Sequence, residues 1–137
     1  MLSLYIHIPF CVRKCRYCGF YSTIYSPGRA DEFIFGLICE AARYRDDFNH
    51  RSFSSVYIGG GTPTVLSPLQ LDRLVRVIRE HFSIDDRAEF TVEANPNTVT
   101  SEKLSLLLAQ GVNRLSLGVQ SFSEEILQIL GRLHSGE

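Results

Sequence analysis

The sequence predicts an α/β domain built on a parallel sheet. Two observations carry this. Short apolar strands alternate strictly with amphipathic helical stretches through four units, and residues suited to chemistry recur just beyond the strands. Parallel strands so connected are joined by right-handed crossovers. Ligands of such sheets gather beyond the carboxyl ends of the strands.

Taken in order, residues 3–8 read as a strand ended by Pro9, followed by a loop holding Cys11, Cys15 and Cys18. Residues 22–28 read as a turn-rich connection. Across residues 31–48, Phe33, Ile34, Leu37, Ile38, Ala41, Ala42 and Phe48 recur at helical spacing. Cys39 lies in that stretch and is expected in the core. Residues 54–58 form a second strand, β-branched or aromatic at Val56, Tyr57 and Ile58, which runs straight into Gly59-Gly60-Gly61-Thr62-Pro63.

The second helix starts at Ser67, with Pro68 in its first turn and Gln70 completing a capping box. Its apolar stripe is Leu71, Leu74, Val75, Ile78 and Phe82. Residues 89–94 make a third strand, closed by the turn signal Asn95-Pro96-Asn97. Leu104, Leu107 and Leu108 line a third helix, which Gly111 ends in the left-handed conformation. Residues 114–119 make the fourth strand. Ser121 and Glu124 predict a second capping box, for a helix carrying Ile126, Leu127 and Leu130 and stopping near Gly131.

The 137 residues, 45% hydrophobic with a formal net charge of -1, suffice for one globular domain. The near-neutral balance offers no electrostatic case for nucleic acid. No apolar run approaches the ~20 residues of a membrane span, and no signal-peptide pattern precedes the first strand. With the clustered cysteines, this predicts a reducing cytoplasm.

Cysteines at i, i+4 and i+7 can wrap one face of a soft metal centre, and an odd trio cannot satisfy itself with disulfides. The spacing suits an iron–sulfur cluster with one iron left open. A structural zinc site with His7 as fourth ligand is an alternative, although no second Cys pair follows; so is a loop without metal. The Gly59–Gly61 run lets a ligand approach bare backbone, or simply makes a tight turn. It is neither a dinucleotide fingerprint nor a phosphate-binding loop. Glu93, on a strand, needs a partner: a ligand's ammonium or hydroxyl groups, or Arg114. Gln120 and Arg132 are further polar candidates for a ligand, with backbone satisfaction and helix capping as the structural alternatives.

Cys11-x-x-x-Cys15-x-x-Cys18, with Tyr17 before the last cysteine, resembles the cluster loop of radical S-adenosylmethionine enzymes. Residues 4–11, 58–63, 92–96, 111–122 and 130–134 resemble, in order and spacing, the oxygen-independent coproporphyrinogen III oxidase family. The resemblance implies the first four units of a partial TIM-type (β/α) barrel. It makes residues 1–137 the N-terminal part of a radical SAM core domain, without the remaining barrel units and the C-terminal domain. It also implies a [4Fe–4S] cluster on Cys11, Cys15 and Cys18, with S-adenosylmethionine contacts from Tyr5, Tyr17, Gly60, Gly61, Thr62, Glu93, Gln120 and Arg132. One electron from the cluster would cleave the sulfonium and release a 5′-deoxyadenosyl radical.

Members that decarboxylate coproporphyrinogen carry a further cysteine two residues after the third ligand, where this sequence has Phe20. The chain is therefore closer to the haem chaperone branch, although Gly19 stands where that branch usually has an acidic residue. Expected partners are S-adenosylmethionine, haem or a porphyrinogen, an electron donor and a haem-accepting protein. The oxidase activity is the enzymatic alternative, and a zinc-stabilised or degenerate fragment a third.

Overall fold

The computed structural model describes residues 2–136. In chain order the elements are β1 (Ser3–Ile8), β2 (Phe10–Cys11), β3 (Thr23–Ile24), α1 (Pro27–Phe48), β4 (Ser52–Gly60), α2 (Pro68–His81), β5 (Ser83–Ala94), α3 (Ser101–Ala109), β6 (Arg114–Leu117) and α4 (Glu124–Leu130). The main sheet has four strands, all parallel, in the order β1-β4-β5-β6. This order follows the chain without reversal, so like-handed crossovers bring the helices to one face. There α1 packs on α2 and α2 on α3. Ile6, Ile8, Val56, Ile58, Phe90 and Val92 of the strands meet Ile34, Leu71, Leu74, Val75, Ile78 and Leu107 of the helices.

The opposite face is polar. Register places Tyr5, Tyr57, Thr91 and Arg114 in one row, and His7 beside Gly59 with Glu93 beside Ser116 in the next. Parallel strands buried on both faces read as continuous apolar runs; these alternate instead. A sheet wound in one direction, helices outside and polar side chains inside, is the wall of a (β/α) barrel.

The ends of elements differ from the sequence expectation where long-range contacts decide them. Residues 22–28 are not merely a turn. Thr23 and Ile24 pair with Phe10 and Cys11, through Thr23 N–H to Pro9 O (2.7 Å) and Tyr25 N–H to Cys11 O (2.9 Å). This ribbon closes the cysteine loop, and α1 begins at once, with Pro27 in its first turn. Strand β6 stops at Leu117, because the chain turns at Gln120, whose φ is 71°.

Cys39 is exposed on α1 rather than in the core. The helical period drew it inward, but the buried stripe runs through Ala30, Ile34 and Ala41. Likewise Leu107 alone of the α3 leucines is buried, while Leu104 and Leu108 face outward, as Ala42 on α1 and Ile126 on α4 do. The expected Ser121–Glu124 box does not form. Ser123 is the N-cap of α4 without a side-chain bond, Ser121 Oγ accepts from Ser123 N–H, and Glu124 accepts from Gly136 N–H. Phe82 is the residue that ends α2, and it joins Phe48 and Phe53 in an aromatic cluster.

The first capping box does form, and more hangs on it than a cap. Gln70 Oε1 accepts from Ser67 N–H (3.0 Å) and Tyr25 O–H (2.9 Å). Its Nε2 donates to Pro27 O (3.2 Å) and Asp31 Oδ1 (2.9 Å). All four hydrogen-bonding positions of a buried amide are satisfied, which ties the start of α2 to the start of α1. Gln70→Ala should therefore lower unfolding stability by about 2–3 kcal/mol, since it strands several partners at once. Ser67→Ala, losing one cap, should cost only about 1 kcal/mol. Denaturant titration of both variants tests the ranking.

Candidate functional site

A cleft of about 490 Å³ opens at the carboxyl ends of the strands. Cys11, Cys15 and Cys18 line it together with Tyr17, Gly60, Gly61, Thr62, Glu93, Gln120 and Arg132. Sequence positions as far apart as 11 and 132 meet because each follows a strand or its helix. Tyr5 is the exception among the sequence candidates. It sits lower on the polar face, its hydroxyl 3.0 Å from His7 Nδ1 and its ring stacked on Tyr57 at 6.1 Å.

The cysteine loop is held from several sides. Arg13 donates to Gly131 O at the end of α4, Lys14 Nζ to Phe20 O (3.2 Å), and Cys18 N–H to Cys15 O (3.2 Å). His7 Nε2 lies 3.1 Å from Tyr21 O. His7 is thus engaged at both ring nitrogens, by Tyr5 and by Tyr21 O, and does not line the cleft with the cysteines. The three thiols are free and half-buried. Among the described residues no three His, Cys, Asp or Glu side chains gather closely enough for a single metal ion. All three cysteines line the same cleft from one short loop. That arrangement suits a multi-iron cluster, in which each thiolate binds a different iron.

The glycine turn lines the same cleft. Gly60 has φ 107°, and a Cβ there would come 2.5 Å from the His7 ring. A Cβ on Gly61 would lie 2.6 Å from Phe10 O and 2.8 Å from Ile8 O. The turn hugs the end of β1, leaving its other side open to a ligand. Glu93 supports it: one carboxylate oxygen accepts from Gly60 N–H (3.0 Å), the other from Tyr57 O–H (2.6 Å). The alternative partner Arg114 is committed elsewhere, to Glu89 at 2.7 Å.

These contacts hold three phenols above the ordinary tyrosine value. For Tyr57 the hydrogen bond to Glu93 leads, followed by burial and the carboxylate charge, against opposing effects of Ser116 and Arg114. For Tyr5 burial leads, then the charge of Glu93. For Tyr17 burial leads; Arg132 opposes, and the Cys15 and Cys18 sulfurs reinforce it. A raised folded-state value means that the protonated phenol stabilises the fold below pH ~10, and that this is lost as pH rises through the raised value. Absorbance at 295 nm should accordingly show three of the six tyrosines ionising later than the free side chain.

Arg132 donates through Nη2 to Gly118 O and through Nη1 to Cys15 Sγ (3.6 Å). Its Nε is buried without a partner among the described residues. Arg132 is half-buried and lines the cleft, and a guanidinium so placed fits an anionic ligand group. Gln120 holds a left-handed backbone that costs a non-glycine residue on the order of 1 kcal/mol, a strain concentrated at ligand sites. Asn95, Thr98 and Ser116 also line the cleft and escaped the sequence reading. For Ser116 a signal existed: the apolar–polar alternation of Arg114-Leu-Ser-Leu puts it on the inner face with Glu93. Behind the rim, Lys103 donates to Thr64 O (2.7 Å) and Thr98 O (3.1 Å), and burial lowers its pKa.

A singly wound parallel sheet, with a three-cysteine loop after its first strand and a glycine turn after the second, defines a class of protein. The chain matches the family model of the radical SAM superfamily over residues 5–137, and it belongs to that superfamily. It is similar to the haem chaperone HemW of Haemophilus influenzae, 39% identical over 98% of this chain and 36% of the relative. HemW of Escherichia coli is 42% identical over 97% of this chain and 35% of the relative. The oxygen-independent coproporphyrinogen III oxidase of Escherichia coli is 38% identical over 96% and 29%. The solved structure of that oxidase, HemN, described as a radical SAM enzyme, superposes with a TM-score of 0.92 at 37% identity, covering 98% of this chain and 31% of that one. The chain spans about a third of the length of these relatives.

Proposed function

We propose that the chain holds a [4Fe–4S] cluster on Cys11, Cys15 and Cys18 and binds S-adenosylmethionine beside it, as part of a haem chaperone of the HemW type. The observation that carries this reading is the single cleft shared by three free thiols, the glycine turn and Arg132. When bound, cluster and cofactor together would supply one-electron cleavage of the sulfonium. The chain's own part is positioning. Gly60 and Gly61 admit the cofactor close to backbone, Glu93 fixes that turn, and Thr62, Tyr17 and Gln120 add polar contacts. Arg132 on the cleft wall brings a cation to a carboxylate. Tyr5 would act through Tyr57 and Glu93 instead of by contact.

Anaerobic reconstitution, followed by iron and sulfide analysis and by electron paramagnetic resonance with and without S-adenosylmethionine, tests the reading. An apo protein that takes up no iron would end it. Glu93→Ala should weaken S-adenosylmethionine binding by about tenfold while keeping cluster iron, because Glu93 touches the glycine turn and no cysteine. Equal loss of both would make Glu93 a purely structural residue.

The branch rests on Phe20, which lines the cleft, 62% exposed, at the place where decarboxylating members carry a cysteine. Haem binding and transfer to an acceptor protein in a cytoplasmic setting then replace decarboxylation. No described helix is long and apolar enough to cross a membrane. The second reading, coproporphyrinogen III oxidation with an electron donor, is favoured by the 0.92 superposition on HemN. Residues 1–137 alone are expected to assemble a cluster but neither to decarboxylate a porphyrinogen nor to deliver haem. Anaerobic assays of product porphyrin and of haem transfer check this.

A further inference from the structure

Two of the three cysteine sulfurs have a protein donor of their own, one from past a strand and one from past a helix. Thr62 Oγ1, just past β4, donates to Cys11 Sγ at 3.6 Å. Arg132 Nη1, just past α4, donates to Cys15 Sγ at 3.6 Å. Neither group is a casual neighbour. Thr62 is fixed by its own N–H, which bonds Phe10 O at 2.7 Å next to Cys11. Arg132 is clamped by its bond to Gly118 O and by its N–H on Leu127 O (2.8 Å). The backbone of Thr62 and the guanidinium of Arg132 are therefore both placed by contacts with main-chain carbonyls that do not depend on a ligand.

A donor aimed at a thiolate withdraws electron density from it. This stabilises the more reduced, more negative state of a cluster and raises its potential. A cation does so more strongly than a hydroxyl, because its charge acts in a partly buried place.

We infer that Thr62 and Arg132 set the reduction potential of the cluster held by Cys11, Cys15 and Cys18, through their hydrogen bonds to Cys11 Sγ and Cys15 Sγ. This rests on the cluster reading above, and it gives both residues a task beyond contact with S-adenosylmethionine. The step concerned is the uptake of one electron from a one-electron reductant, with no bond made or broken. Arg132 has two donors already committed: Nη1 serves the sulfur and Nη2 serves Gly118 O.

The test is a dithionite titration of the reconstituted chain without S-adenosylmethionine, monitored by electron paramagnetic resonance, for the unaltered protein, Thr62→Val, Thr62→Ser and Arg132→Gln. Thr62→Val conserves shape and removes the hydroxyl. It should disfavour reduction by roughly three- to tenfold, at about 59 mV per tenfold for a one-electron couple. Thr62→Ser should restore the original potential, and Arg132→Gln should shift it further than Thr62→Val does. Iron and sulfide content should stay unchanged in all four. Unshifted potentials in both Thr62→Val and Arg132→Gln with full iron would overturn this inference while leaving the cluster reading intact. Failure of the unaltered chain to take up iron would overturn both. If Thr62→Val and Arg132→Gln lost iron, that would assign these residues to assembly and refute a tuning role.

Discussion

Cys11→Ala, Cys15→Ala and Cys18→Ala should each lower the iron and sulfide retained after anaerobic reconstitution by at least about tenfold, since a cubane held by three protein thiolates has none to spare. Cys39→Ala should change nothing, because Cys39 is exposed on α1 and takes no part in the cleft. The contrast is informative because all four residues are free thiols. A generic loss of thiol reactivity would treat them alike. The variants should remain folded, as the loop is held by Arg13, Lys14 and the β2–β3 ribbon independently of the weak bonds to Cys11 and Cys15 sulfur. Full iron content in any one of the first three would remove that residue from the ligand set, and full content in all would end the cluster proposal.

The largest expected effect on stability is that of Gly61→Ala. The new Cβ would meet Phe10 O and Ile8 O at 2.6 and 2.8 Å. Both are backbone atoms already bonded to this turn, through Gly61 N–H to Ile8 O and Thr62 N–H to Phe10 O, each 2.7 Å. Neither can swing aside as a flexible side chain would. The turn must separate from the end of β1, at a cost of about 3 kcal/mol, the upper range for overpacking. For a chain of this size, that is a fall in Tm on the order of 10 °C. Gly36→Ala gives the opposite sign and serves as the control. Gly36 lies inside α1 with nothing within 4 Å of its Cβ position, so alanine should stabilise by roughly 0.5–1 kcal/mol. Thermal melts that moved in the same direction for both would contradict the geometry. Gly61→Ala should also disturb ligand binding, since the turn carries Thr62 and Gly60 to the cleft.

The sequence by itself determined the alternation of strands and helices, the parallel sheet and the place where chemistry collects. Its signals there are local. Pro68 and the Ser67–Gln70 pair mark a helix start through contacts three residues apart, and Gly111 ends α3 with φ 82°, a conformation that few other residues tolerate. The cysteine spacing was equally legible, because ligands from one short loop need no distant partner to be recognised. Tertiary structure decided whatever depends on residues far apart in the chain. Thr23 and Ile24 are strand only because Phe10 and Cys11 lie beside them. Cys39 turned outward because α1 meets α2 along the Ile34–Ala41 side. Glu93 found Tyr57 and the Gly60 amide in place of Arg114, which register carried to Glu89. The donors on Cys11 and Cys15 come from residues 62 and 132. Helical and strand periods report which face a residue occupies, but only packing reports what stands opposite it.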